Sequence, residues 1–243
     1  MRRDYFSIRD EPALHPECCR EKDAAEAPYG AEQVASAAER VRNSIHSEPD
    51  QPDAMAGYRD WLVREEQQLN SGKVWAATLM AGVVGGILAI PGVFLASGQG
   101  VTFHLIYLIV FGPVIEEFMK QSGMIYLLEK RPAMVRYSWQ FPVAAILAAG
   151  IFAVGENLLY QYFYLSALRE EELVGTMRFR WRICTALHVS CALVAAMGLR
   201  RSWRLHRQEG RPWTMSDAYG LFTVAIIIHG GYNLLAATGI IAP

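Results

Sequence analysis

FGPVIEEFMKQ, residues 111–121, places Glu116, Glu117 and Lys120 inside a run otherwise apolar enough to cross a membrane. A charged side chain at bilayer depth costs at least ~2.5–3.5 kcal/mol on the most lenient scale. Three of them within two helical turns must find partners or water inside the fold. Lys120 follows Glu116 by four residues and Glu117 by three, so it can reach either carboxylate. Neighbouring helical positions point about 100° apart, so the two glutamates cannot share a direction. One is expected to face a cavity and the other to pair with Lys120 or a neighbouring helix. Pro113, just upstream, lacks a backbone donor and is expected to free the carbonyl of Ile109.

Outward from this stretch the 243-residue chain divides sharply. Residues 1–73 are polar and charged, and residues 74–243 are mostly apolar runs punctuated by arginine. A net charge of −1, with no basic-aromatic stripe, gives no footprint for a nucleic-acid partner. Cys18 and Cys19 are adjacent, while Cys184 and Cys191 lie at helical spacing in an apolar segment, which argues against a disulfide-stapled secreted fold. The N-terminal arginines are not followed by an apolar core, so they do not read as a signal peptide. Proline and charge make 1–55 read as disordered or loosely folded. Two short helices are expected before the membrane, at 31–46 with Val34, Ala38, Val41 and Ile45 on one face, and at about 56–69 with Trp61 and Leu62.

Five candidate spans come next, at 74–96, 101–128, 141–165, about 182–199 and 218–241, each near the ~20 residues a crossing helix needs. The expected fold is an all-α polytopic membrane bundle behind a polar N-terminal segment. Thr78, Gly82 and Gly86 recur every four residues in the first span, a small-residue face suited to close packing within the chain. The connections 129–140 and 200–217 are rich in lysine and arginine, and the 166–181 connection less so. That bias puts the N-terminus in the cytoplasm and the C-terminus outside, in the cell membrane.

The later spans carry their own polar residues: Glu156 beside Asn157, then His188, then His229 with Asn233 one turn on. At 1.5 Å per residue, Glu116 lies about 22 Å from the outer helix ends, Glu156 about 14 Å, His188 about 9 Å and His229 about 18 Å. These depths overlap in one layer, as residues lining one shared polar cavity would. A carboxylate beside a histidine can take a proton from water and pass it to a leaving amine. Asn233 or a neutral histidine can donate to a developing oxyanion. Glu156, His188 and His229 could alternatively hold zinc with an open fourth position, although no HExxH occurs. The same residues also suit a structural ion-pair cluster or the relay of a proton-coupled transporter. The Cys184, His188 and Cys191 face reads as packing.

Glu116-Glu117-x-x-Lys120, Phe152-x-x-x-Glu156-Asn157, His188 and His229-x-x-x-Asn233 occur in order on separate spans. This series resembles the motifs of the PrsW family of intramembrane proteases, relatives of the CAAX-processing and bacteriocin-processing (CPBP) membrane proteases, over roughly 101–241. The resemblance implies Glu116, Glu117, Glu156 and His188 as catalytic candidates, with His229 and Asn233 in support. It also implies site-1 cleavage of a single-pass substrate such as an anti-sigma factor, on the outer side of the bilayer. It does not explain residues 1–73, and its final pair is spaced as in the CAAX-processing relatives. The expected mechanism has Glu116 or Glu117 activating water and His188, helped by Glu156, moving the proton. His229 and Asn233 would stabilise the oxyanion, and Lys120 would fix the glutamate pair. In a zinc version Glu156, His188 and His229 are the ligands. A member that binds single-pass partners without cutting them is the remaining alternative.

Overall fold

Apolar length sets the frame, and charge decides where it is interrupted. The computed structural model describes residues 52–94, 101–210 and 212–241; the expectations for 1–51 and for the 97–100 connection lie outside them. Helix α1 (Pro52–Gln68) precedes α2 (Ser71–Ala89), which tightens into a 3₁₀ turn at Ile90–Phe94. Helix α3 (Val101–Ile106) runs through a π turn, Tyr107–Phe111, into α4 (Gly112–Lys130). Helix α5 (Gln140–Leu159) ends in a second π turn, Tyr160–Tyr164. Helix α6 (Glu170–Phe179) passes through a third, Arg180–Cys184, into α7 (Thr185–Glu209), and α8 (Tyr219–Ala237) closes the chain. There is no strand among the described residues.

Four helices there are long and apolar enough to span a bilayer: Ser71–Gly92, Gln140–Tyr164, Glu170–Glu209 and Tyr219–Ala237. The expected span 101–128 is helical but is not among them, because Glu116, Glu117 and Lys120 break its apolar run. Its charges are buried in the bundle instead. A correction concerns the connections. Residues expected as loops on both sides of the fourth span are largely helical, in one continuous 40-residue helix. At 1.5 Å per residue this is about 60 Å, twice the ~30 Å hydrocarbon thickness, so its ends leave the membrane. Glu170, Glu171 and Glu172 in its first turn and His206 and Arg207 in its last complement the helix dipole. Gly210, at φ 71°, ends it in a left-handed cap.

The bundle is built with small residues inside and large ones outside. Ala144, Ala145, Ala148, Ala149 and Ala153 of α5 and Ala192, Ala195 and Ala196 of α7 are buried, whereas Met80, Ile87, Ile146 and Ile227 are exposed. In lipid, close contact is gained through small residues, and large apolar side chains can stay on the outside. The face Thr78, Gly82 and Gly86 is buried against α5, inside the chain. At the tightest approach a β-carbon on Gly123 would stand 2.1 Å from the Ala81 carbonyl oxygen, which locks α2 against the helix carrying the glutamates.

The end of the bundle with the basic connections is closed by polar contacts. Buried Gln140 accepts from the backbone N–H groups of Arg136 and Tyr137, both at 2.7 Å, and donates to Thr78 Oγ1 at 2.6 Å. Trp203 Nε1 donates to the Val135 carbonyl at 2.8 Å. Helix α1 is tied to the same end by an ion pair between Glu66 and Arg207 and by Tyr58 against the His206 ring.

Candidate active site

The π turns shape the site. In the first, the Gly112 N–H bonds to the carbonyl of Tyr107, five residues back. In that register the partner of the Leu108 carbonyl would be the N–H of residue 113, which proline lacks. Asn233 Nδ2 donates to this carbonyl instead, at 2.9 Å. The group left over is therefore Leu108, not Ile109 as simple α-helical spacing predicts. The other two turns close with Leu165 N–H on the Tyr160 carbonyl at 2.9 Å and with Thr185 N–H on that of Arg180. All three turns line one cavity of 450 Å³, together with Glu116, Glu156, His188, His229 and Asn233. Such turns recur at functional sites because the extra residue re-aims the side chains downstream of it. Tyr160 and Tyr164 line this cavity, while Tyr162 and Phe163 are the more exposed rings of the turn.

Glu117 and Lys120 have no exposed side-chain surface, and Glu116 retains 10%. Lys120 Nζ donates to Glu117 Oε1 at 2.8 Å and to His188 Nδ1 at 3.2 Å. It also sits 4.3 Å above the centre of the Phe152 ring. An ammonium group has only donors, so His188 Nδ1 must accept and its proton must sit on Nε2. Nε2 lies 2.9 Å from Glu156 Oε2, in place to donate to it. Glu117 Oε1 also lies 2.9 Å from His229 Nδ1. A carboxylate in that position receives the Nδ1 proton and leaves His229 Nε2 with its lone pair. That nitrogen faces Glu116 Oε2 at 3.7 Å, and the two imidazole rings meet edge to face at 4.9 Å.

The structure thus brings together Glu116, Glu117, Lys120, Glu156, His188 and His229 from four helices. Asn233 lines the same cavity, but its amide nitrogen is engaged by the Leu108 carbonyl. Asn157 stands behind Glu156, where its Oδ1 accepts from Arg180 Nε at 3.2 Å. Arg180 is the residue that sequence reasoning missed. It appears there as one of three arginines in an expected loop, yet it forms an ion pair with Glu156 Oε2 at 3.0 Å. Its charge, two residues before the expected fourth span, was the signal available.

Two positive groups, Lys120 and Arg180, face three carboxylates here. Lys120 is nearer to Glu117, at 2.8 Å, than to Glu116, at 3.9 Å, and Arg180 belongs to Glu156. Among the described residues Glu116 is therefore the carboxylate of the three with no cation closer than 3.9 Å, and its buried Oε2 accepts no hydrogen bond from them. An orphaned oxygen beside a histidine lone pair fits a divalent cation. Among the described residues Glu116, His188 and His229 can each offer a donor atom, all within 4.8 Å of one another. This set differs from the expected Glu156, His188 and His229 in one ligand, and Glu156 Oε2 is engaged by His188 and Arg180. Cys184 pairs with Tyr232 at 3.3 Å and Cys191 packs in the core, neither joining the donor set.

A helical membrane bundle that gathers carboxylates and imidazoles around an internal cavity defines a polytopic membrane protein equipped for hydrolysis. The PrsW family intramembrane metalloprotease model matches residues 61–242, and the chain belongs to that family. It is a protease whose substrate is a membrane protein, as the ordered motifs implied. No curated protein and no solved structure matches the chain.

Proposed function

We propose that the protein cleaves a single-pass membrane protein, such as an anti-sigma factor, with Glu116 as the general base. One observation carries this reading: Glu116, whose Oε2 accepts no hydrogen bond, and His229, whose Nε2 lies 3.7 Å from that oxygen, line the cavity side by side. Glu116 takes the proton of the attacking water and passes it to the leaving amine. Glu117 stays outside the reaction and orients His229, while Lys120 holds Glu117 and His188 in place. The second hydrogen of the Asn233 amide, whose first is held by the Leu108 carbonyl, is the donor available to the developing oxyanion. Zinc is the cation we propose for Glu116, His188 and His229, where it would supply Lewis acidity to the water and the carbonyl. His188 would join that set by giving up one of its present hydrogen bonds.

The cavity also supports cleavage near the outer face. It is lined by His104, Leu165, Thr176 and Ile241, which all lie at helix ends remote from the basic connections. With those connections in the cytoplasm, the N-terminus is cytoplasmic and the substrate enters from the other side of the cell membrane. The test is purified protein in liposomes with a single-pass anti-sigma factor. We expect shortening of the substrate that Glu116→Gln abolishes while the folded state persists. Intact substrate together with proton-coupled solute flux would replace this reading with transport.

A further inference from the structure

We infer that Arg180 is a positioning residue: it fixes Glu156, and through Glu156 the His188 imidazole, in the orientation that hydrolysis uses. The inference rests on the proposed role of His188. Arg178 and Arg182 are exposed on the same helix, but the Arg180 side chain is only 13% exposed. Its guanidinium is held from three directions by α5 and the turn after it. Nη2 pairs with Glu156 at 3.0 Å, Nε donates to Asn157 at 3.2 Å, and Cζ lies over the Tyr160 ring, 3.4 Å from its centre.

The geometry at Glu156 gives this clamp its consequence. Arg180 Nη2 and His188 Nε2 meet the same oxygen, Oε2, at 3.0 and 2.9 Å. A buried carboxylate without a countercharge is strongly unfavourable, so removing Arg180 leaves Glu156 to find another charge state or another position. Either change releases His188 Nε2, and with it the ring that bridges Lys120 to the cavity. Lysine cannot substitute fully, because it keeps the charge but loses the fork to Asn157 and the stacking on Tyr160.

The experiment measures cleavage by Arg180→Gln, Glu156→Gln and the double variant, resolving kcat and KM, alongside thermal unfolding. Partners that orient a catalytic group typically contribute 10–100-fold, so Arg180→Gln should lower kcat by about that factor with KM nearly unchanged. The double variant should turn over within about two-fold of Glu156→Gln, because Arg180 acts through Glu156. It removes both charges, so that comparison stands even where Arg180→Gln alone fails to fold. Wild-type kcat in Arg180→Gln, a loss confined to KM, or a further ten-fold drop in the double variant would each overturn the inference. If Glu156→Gln and His188→Ala both cleave at the wild-type rate, it is the reading of the centre that fails, whatever Arg180→Gln does.

Discussion

Gly230 lies directly against the backbone of Ile109: a β-carbon on Gly230 would stand 2.2 Å from the Ile109 carbonyl oxygen. This contact seats α8 on the first π turn and so sets how far His229, the preceding residue, reaches toward Glu116 and Glu117. Gly231 has open space around it. Gly230→Ala should therefore destabilise the protein by about 1–3 kcal/mol through overpacking and reduce cleavage, while Gly231→Ala leaves both near wild type. Thermal unfolding in detergent and substrate cleavage by the two variants, compared side by side, check this.

Among the described residues Lys120 is the one lysine or arginine within 3 Å of Glu117, and neither side chain touches solvent. Lys120→Met should destabilise by about 3–5 kcal/mol, because it strands a buried carboxylate. Glu117→Gln added to Lys120→Met should recover much of that loss without restoring activity. Equilibrium unfolding of the two variants is the measurement, and an additive double variant would contradict the pairing.

Glu116 and Glu117 differ in sequence only by position, yet their surroundings assign them separate tasks. Glu116→Gln should reduce kcat by about 10²–10⁴-fold with the fold retained, as loss of a general base does. Glu117→Gln should act on His229 and weaken divalent-cation affinity by about 10–100-fold. Glu116 is itself in the proposed donor set, so single-turnover cleavage at saturating zinc separates the two effects: added zinc should restore Glu117→Gln toward wild type but not Glu116→Gln.

Asn233 caps the carbonyl that Pro113 leaves without a donor. Asn233→Ala should destabilise by about 1–3 kcal/mol through that unsatisfied group. In a Pro113→Ala background, where residue 113 regains an N–H, the same change should be smaller. A double-mutant cycle on unfolding free energy reads the coupling, and a value of zero would dissociate the two residues.

Chelation tests the donor set without mutation. Incubation with a zinc chelator should abolish cleavage and lower the unfolding temperature, and both should return when zinc is restored. His229→Ala should show neither response to chelator. Cleavage unchanged in a protein shown to be metal-free would assign the whole reaction to Glu116 and its neighbours.

Much of this was legible in the chain, for reasons that are local. Apolar runs of bilayer length mark most of the helices, and the spacing of Glu116, Glu117 and Lys120 puts the lysine within reach of either carboxylate. Small residues every four positions in 71–89 announce close packing, and the structure buries them. Less legible was the helix through 170–209, because hydropathy falls where the helix leaves the lipid although the backbone does not change. The donor set at the centre was also hidden. Spacing shows that Glu156 and His188 are polar groups in a membrane, but not that Arg180 reaches across to claim the Glu156 oxygen.

By itself, then, the amino-acid sequence determined that this is a helical membrane protein with ionisable groups at overlapping depths, because burial in lipid leaves such groups few arrangements. Only the tertiary structure decided that Glu117 is held at hydrogen-bond distance by Lys120 and His229 while Glu116 lines the cavity. A helical period gives the angle between adjacent side chains but not which neighbour each will meet. That depends on how α4, α5, α7 and α8 pack, and on π turns that shift the register by one residue.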